Sequence, residues 1–394
     1  MSGPSLQAAA PRPMRWLWLA VPLLTILAAL SWLFAADPLQ SFRNGAPAVE
    51  KLTFERVVLD GGGIHVTLRA GGSEPMRIAQ VQVDDAYWSF VQTPPGPLDR
   101  GAAARLDIPY PWVLGEAHAV NVVTSTGTTF SHDIPVAVAT PDAGAGQLVS
   151  QALLGAFVGI LPVAIGLMLF PLLRGVGADG MRFLLALTVG LLAFLFVDSL
   201  DEALELAGQA APLYQGATLV VLTAVATFVL LLAVGHRSEN RTGEGLAWSI
   251  ALGIGLHNLG EGLAIGGSFA AGAAGLGTFL VLGFALHNIT EGIGIAAPLL
   301  RSKPPFALFV ALALLAGGPA IIGIWLGSLA IAPQWLAVTL AIGAGAIAQV
   351  IVELIAYLHR TSLGERSSLL GGAIVSGMML GFAVMFTTAM LVKI

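Results

Sequence analysis

The chain contains no cysteine, which excludes thiolate metal sites, disulfides and thiol catalysis. Charge is scarce as well: 18 Lys and Arg with 23 Asp and Glu make up 10% of the 394 residues. A soluble domain carries about 25%, so an ordinary water-soluble enzyme, a coiled coil and a disordered chain are excluded. The net charge of −5 gives no reason to expect nucleic acid as a partner. What is abundant is apolar: 56% of the residues are hydrophobic and 48 are Gly. That composition describes a polytopic membrane protein with one more polar insert.

Residues 16–36 form a first apolar run behind Arg12 and Arg15. Its apolar core exceeds the 7–15 residues usual for a signal peptide, so it reads as a retained signal anchor. Residues 37–145 are mixed in polarity. Seven segments there (52–59, 64–69, 76–83, 88–91, 105–108, 120–124 and 129–136) alternate or carry β-branched residues, with Gly and Pro between them. They predict a small antiparallel β-sandwich-like domain. His65, His118 and His132 fall within it and read as surface or packing residues.

Eight further apolar runs follow, at 149–173, 183–206, 216–234, 245–270, 276–300, 306–329, 335–358 and 369–392. Each is close to the ~20 residues that cross ~30 Å of hydrocarbon. With the N-terminus inside, Arg12, Arg15, Arg174, Arg182, Arg237, Arg241, Arg301, Lys303, Arg360 and Arg366 all fall on the inner side. Beyond the insert, Lys393 alone falls outside, a positive-inside pattern that puts residues 37–145 and the C-terminus outside. The expected organisation is a cytosolic tail and anchor (1–36), an extracytoplasmic β-rich domain (37–145) and an eight-helix bundle (146–394). The expected location is a bacterial inner (plasma) membrane.

The chemistry is concentrated in two words. His257-Asn258-Leu259-Gly260-Glu261-Gly262 and His287-Asn288-Ile289-Thr290-Glu291-Gly292 lie on consecutive, oppositely directed spans at matched depth. His and Glu at i and i+4 share a helix face. Two such faces deliver two imidazoles and two carboxylates to one point, with Asn oxygens beside them. This donor set suits Zn²⁺ or another first-row divalent ion. Carboxylates are costly in lipid and need partners or a wet path. A pair of satisfied polar seams that glue helices together would explain one such word, but hardly two in register.

These words resemble the paired metal motifs of the ZIP (Zrt/Irt-like) family of divalent metal transporters, over residues 149–394. The resemblance implies an eight-span bundle with both ends outside and metal movement towards the cytosol by sliding of helix groups. It implies Zn²⁺ as the commonest cargo, with Fe²⁺, Mn²⁺ and Cd²⁺ as others. Carried over by position, His257, Glu261, His287 and Glu291 form the main site, and Asn258 and Asn288 face a neighbouring one. Gly260 and Thr290 stand where the family often has Pro, and Gly318 where it often has Glu before Pro319. Asn288 replaces an acid found in some members, so one metal rather than two is expected.

Other polar residues suggest a route. Asp198, Asp201, Glu202 and Glu205 would form an acidic funnel on span two, with the deeper Asp198 and Asp201 as pathway candidates. Gln349 and Glu353, at i and i+4 on span seven, read equally as pathway or as helix glue. His236 and His359 sit at inner span ends, and the short 236–244 loop lacks a His-rich tract. The expected partners are divalent metal ions, the lipid bilayer and a second copy of the chain in a homodimer. No cofactor and no enzymatic activity are expected, the metal being cargo. An intramembrane metallohydrolase and a non-transporting metal sensor remain as alternatives.

Overall fold

The alternating stretch resolves into eight strands: β1 Leu52–Asp60, β2 Gly63–Ala70, β3 Ile78–Val83, β4 Ala86–Trp88, β5 Val91–Thr93, β6 Ala103–Ile108, β7 His118–Thr124 and β8 Thr129–Ile134. The computed structural model describes residues 14–36, 49–140, 144–236, 243–270, 274–300, 302–329, 332–364 and 371–392. Arg12, Arg237, Arg241, Arg301, Arg366, Lys393 and the centre of the 236–244 loop lie outside them. The strands form two four-stranded antiparallel sheets, ordered β1-β2-β6-β5 and β4-β3-β7-β8. Period-two alternation puts Ile64, Val66 and Leu68 of β2 and Val120 and Val122 of β7 into one shared core. The segment expected as a single strand at 88–91 is two: the chain leaves one sheet after Trp88 and joins the other at Val91.

A two-residue loop, Asp84-Asp85, joins β3 to β4 with φ of 51° and 63°, the left-handed pair that a tight hairpin requires. The Asp84 carboxylate accepts from the Ala119 amide (2.9 Å) and the Tyr110 hydroxyl (2.7 Å), and pairs with His118 Nδ1 (2.7 Å). Burial alone would raise its pKa, but these three partners outweigh burial and hold it below the usual carboxylate range. The same carboxylate pushes the Tyr110 hydroxyl up to about 12. A depressed folded pKa adds stability above the unfolded value, about 3.9, that is lost as pH falls through the folded value. Asp84→Asn keeps the turn preference and removes the charge. It is expected to lower the melting temperature at neutral pH, with a deficit that shrinks towards pH ~3, as thermal scans across pH would read.

A β-bulge in β1 lies between Phe54 and Arg56 and makes Glu55 the extra residue. Re-aimed by the bulge, the buried Glu55 carboxylate takes Arg69 (2.5 and 3.0 Å) and, from the helical region, Gln334 Nε2 (3.0 Å). Arg69 also lies 5.8 Å over the Tyr214 ring. The β region is therefore joined to the bundle where two of its helices begin.

Among the described residues, α1 (Met14–Ala36) precedes the β region. After it come α2 Ala145–Gly155, a π-helical turn Ala156–Ile160, α3 Leu161–Met168, α4 Phe170–Leu173, α5 Ala178–Gln209, α6 Gly216–His236, α7 Glu244–Ala270, α8 Ala274–Ala296, α9 Phe306–Gly317, α10 Pro319–Ser328, α11 Pro333–Gly364 and α12 Gly372–Val392. Among the described residues, six segments are long and apolar enough to cross a membrane: Gly146–Leu173, Ala178–Gln209, Pro212–Gly235, Leu280–Leu299, Phe306–Ser328 and Pro333–Arg360. The chain is thus an integral membrane protein by composition and length. The 27-residue α7 is not among the six. Its sequence carries His257, Asn258, Glu261 and many Gly, and it is wrapped by protein rather than by lipid.

Packing divides the bundle into two groups. In one, α5 lies along α11 and α12, and α11 along α6. In the other, α7 lies along α10 and beside α8 and α9, while α8 lies along α3. The face between α11 and α7 joins the two groups.

Candidate metal centre

Both words lie on unbroken helix, as the lack of Pro within them allows. The breaks lie instead in the helices that the words pack against. Pro162 and Pro319 interrupt the α2–α3 and α9–α10 spans. Pro162 has no N–H to offer the Val158 carbonyl four residues back, and Asn288 Nδ2 donates to that carbonyl at 3.0 Å. On the other side, Asn258 Nδ2 donates at 3.0 Å to the Ala316 carbonyl, three residues before Pro319. The closing glycines follow the same plan. A Cβ at Gly262 would overlap the Ala320 carbonyl, and one at Gly292 the Val163 carbonyl. Each carbonyl belongs to the residue after the proline. The one-residue difference in spacing, Ala316 to Ala320 against Val158 to Val163, is taken up by the π turn at Ala156–Ile160. Each word is thus clamped at its Asn and its Gly to a proline-broken partner helix.

This clamping points His257, Glu261, His287 and Glu291 at one another. All are buried, between 2% and 5% exposed. Glu261 Oε1 lies 2.6 Å from His287 Nε2 and 3.1 Å from His257 Nε2. Its other oxygen faces Asn288 Nδ2 at 3.4 Å. One ligand atom each from His257, His287 and Glu291 lie within 4.8 Å of one another. Among the described residues, neither Glu291 oxygen accepts a hydrogen bond of good geometry, and the Oδ1 atoms of Asn258 and Asn288 are buried without a partner. Buried acceptors left without donors are costly. A divalent cation would satisfy the Glu291 carboxylate and match the donor set of two imidazoles and a carboxylate. Glu261, lying against both imidazoles, orients them and is within reach as a fourth ligand.

A small cavity of about 30 Å³ adjoins the site towards the β region, lined by Asp198, Ser199, Glu202, His257 and Glu261 among others. It has room for one or two waters. Asp198 is therefore brought to the site, and its companion is Glu202. Asp201 is exposed and does not line this cavity. Towards the opposite end, Gln349 Nε2 donates to Ser249 Oγ (3.1 Å), which donates to Glu353 Oε1 (2.9 Å). Ser249 and Glu353 line a larger cavity of about 350 Å³ between α6, α7 and α11. Sequence reasoning missed Ser249, although it shares the His257 stripe two turns earlier on α7. Both ring nitrogens of His65 are hydrogen-bonded, to Asp60 and Asp107, while His132 stacks on Phe54.

Asn288→Ala would leave the Val158 carbonyl and one Glu261 oxygen without their donor. A cost of about 1–3 kcal/mol is expected, read as a lower melting temperature of the metal-free protein in detergent. An unchanged melting temperature would mean that the clamp does not operate.

The geometry defines a helical membrane protein with a buried His/Glu cluster between clamped helices. The chain matches no protein-family model and no curated protein.

Proposed function

We propose that the chain transports divalent transition-metal cations, Zn²⁺ foremost and Fe²⁺, Mn²⁺ or Cd²⁺ as further cargo, towards the cytosol. One observation carries this reading: two His-Asn-x-x-Glu-Gly words converge on a buried cluster whose Glu291 carboxylate, among the described residues, accepts no hydrogen bond of good geometry. On this reading the chain is a ZIP-like transporter. α7 and α12 complete an eight-span bundle, α1 is a retained anchor, and the β region lies outside.

The polar residues along the bundle support a route. Asp198 and Glu202 would draw cations in from the β-region end. His257, His287, Glu291 and Glu261 would take the dehydrated ion. Ser249, Gln349 and Glu353 would receive it on the far side. The whole ligand set sits on the group containing α7 and α8, so it can move as one body against α5, α6, α11 and α12.

A second reading has one observation in its favour. Two His and one Glu with a further carboxylate nearby is also the ligand count of a hydrolytic zinc site. The adjoining cavity of about 30 Å³ argues against it, since a peptide or lipid substrate cannot enter a space for one or two waters.

Equilibrium dialysis of the purified protein with Zn²⁺, beside a peptidase and esterase assay, separates the readings. The transport reading expects one tightly held Zn²⁺ per chain and no Zn²⁺-dependent hydrolysis. Hydrolysis lost with Glu261→Gln would favour the enzyme.

A further inference from the structure

A second feature of the bundle, independent of what the buried site carries, lies at the membrane-facing surface. α3 ends at Met168, the chain turns at Leu169, and Pro171 stands in the following turn. This break swings Phe170 inwards against Phe309, ring centroids 5.1 Å apart, and opens a groove between α3–α4 and α9. The groove has a volume of about 400 Å³, within the range of ligand sites. Leu167, Phe170 and Ala313 form its buried floor, while Met168, Phe306 and Val310 form an exposed rim. Along α3 and α4 it runs from Ile160 to Pro171, about 16 Å at 1.5 Å per residue, close to half the hydrocarbon thickness. One acyl chain of one leaflet has that length.

The Pro171 and Phe306 end of the groove carries positive charge. The Arg174 guanidinium lies 5.6 Å over the Phe170 ring, so it is held at the mouth. Lys303 is exposed, three residues ahead of Phe306. Among the described residues neither cation is ion-paired, whereas the next one, Arg182, is bound by Asp179 at 2.6 Å.

We propose that this groove is a binding site for one anionic glycerophospholipid, with an acyl chain between α3 and α9 and its phosphate against Arg174 and Lys303. Two juxtamembrane cations favour an anionic over a zwitterionic headgroup, and a preference on the order of tenfold is expected.

The test is native mass spectrometry of the purified full chain, delipidated in mild detergent and re-supplied with phosphatidylglycerol or phosphatidylcholine of identical acyl chains. One phosphatidylglycerol per chain should be retained, with the stated preference over phosphatidylcholine. Arg174→Gln with Lys303→Gln, both exposed and tolerant, should retain the two lipids about equally. Val310→Trp, on the exposed rim, should fill the groove and retain neither. Equal retention of both lipids by the wild type would overturn the proposal. So would an undiminished preference in the charge variant, or wild-type retention by Val310→Trp.

Discussion

Glu291→Gln is expected to lower Zn²⁺ affinity by more than about 100-fold and leave the metal-free protein at least as stable as the wild type. Removing an outer partner of a metal ligand typically costs 10–100-fold, so removing a ligand itself should exceed that. Glu291 is 2% exposed, and among the described residues neither of its oxygens accepts a hydrogen bond of good geometry. In the metal-free protein it is therefore a burden that the neutral amide relieves. Glu261→Gln should behave differently. Glu261 already lies against both imidazoles, and breaking a buried pair from one side costs about 3–5 kcal/mol. Affinity and metal-free melting temperature should both fall in that variant. Equilibrium dialysis with thermal scans in chelator separates the two patterns. Because the imidazoles must be neutral to ligate, wild-type affinity should also fall between about pH 7.5 and about pH 5.5. A flat response would argue against His ligation.

Gly262→Ala and Gly292→Ala are expected to be among the most damaging small substitutions in the bundle. In each, the new methyl group meets a backbone carbonyl, of Ala320 or Val163, that no rotamer change can move aside. Overpacking costs about 1–3 kcal/mol where side chains can adjust, and a backbone obstacle belongs at the upper end. The helices would separate where Asn258 and Asn288 make their clamps, so metal binding should fall with stability. Gly267, five residues beyond Gly262 on α7, provides the control. A Cβ there meets nothing within 4 Å, so Gly267→Ala should be neutral or gain up to about 1 kcal/mol from helix propensity. Equal effects of all three substitutions on melting temperature would mean that the α7–α10 and α8–α3 contacts are not as close as described.

The β region was legible because one face of each sheet is buried, and burial imposes alternation on the sequence. Strands β2 and β7 show it residue by residue. The switch of sheets between Trp88 and Val91 was not legible, since an extended chain reads alike whichever sheet it joins. The two words were legible because duplicated polar residues in apolar helix are rare. Their supports were not: Val158 and Ala316 act through carbonyls, which have no sequence signature beyond a nearby proline. The choice of Asp201 over Glu202 followed depth rather than angle. At 100° per residue, Glu202 lies 40° from Asp198 and Asp201 lies 60° away, so Glu202 shares its face more closely. The span at 245–270 rests on sequence pattern, because a helix sheltered by its neighbours can carry polar residues that blur its hydropathy. The last helix is apolar throughout, and among the described residues its apolar stretch is the shorter Gly372–Thr387.

Passage of metal across the membrane by the His257–His287–Glu291 cluster is read out by Zn²⁺ influx into proteoliposomes. Wild-type protein should be compared with the His257→Ala/Glu291→Ala double variant, both reconstituted to equal amounts. Influx by the wild type that falls to the empty-liposome rate in the double variant is the predicted result. Equal influx by both proteins, or none by a wild type that still binds Zn²⁺, would contradict it.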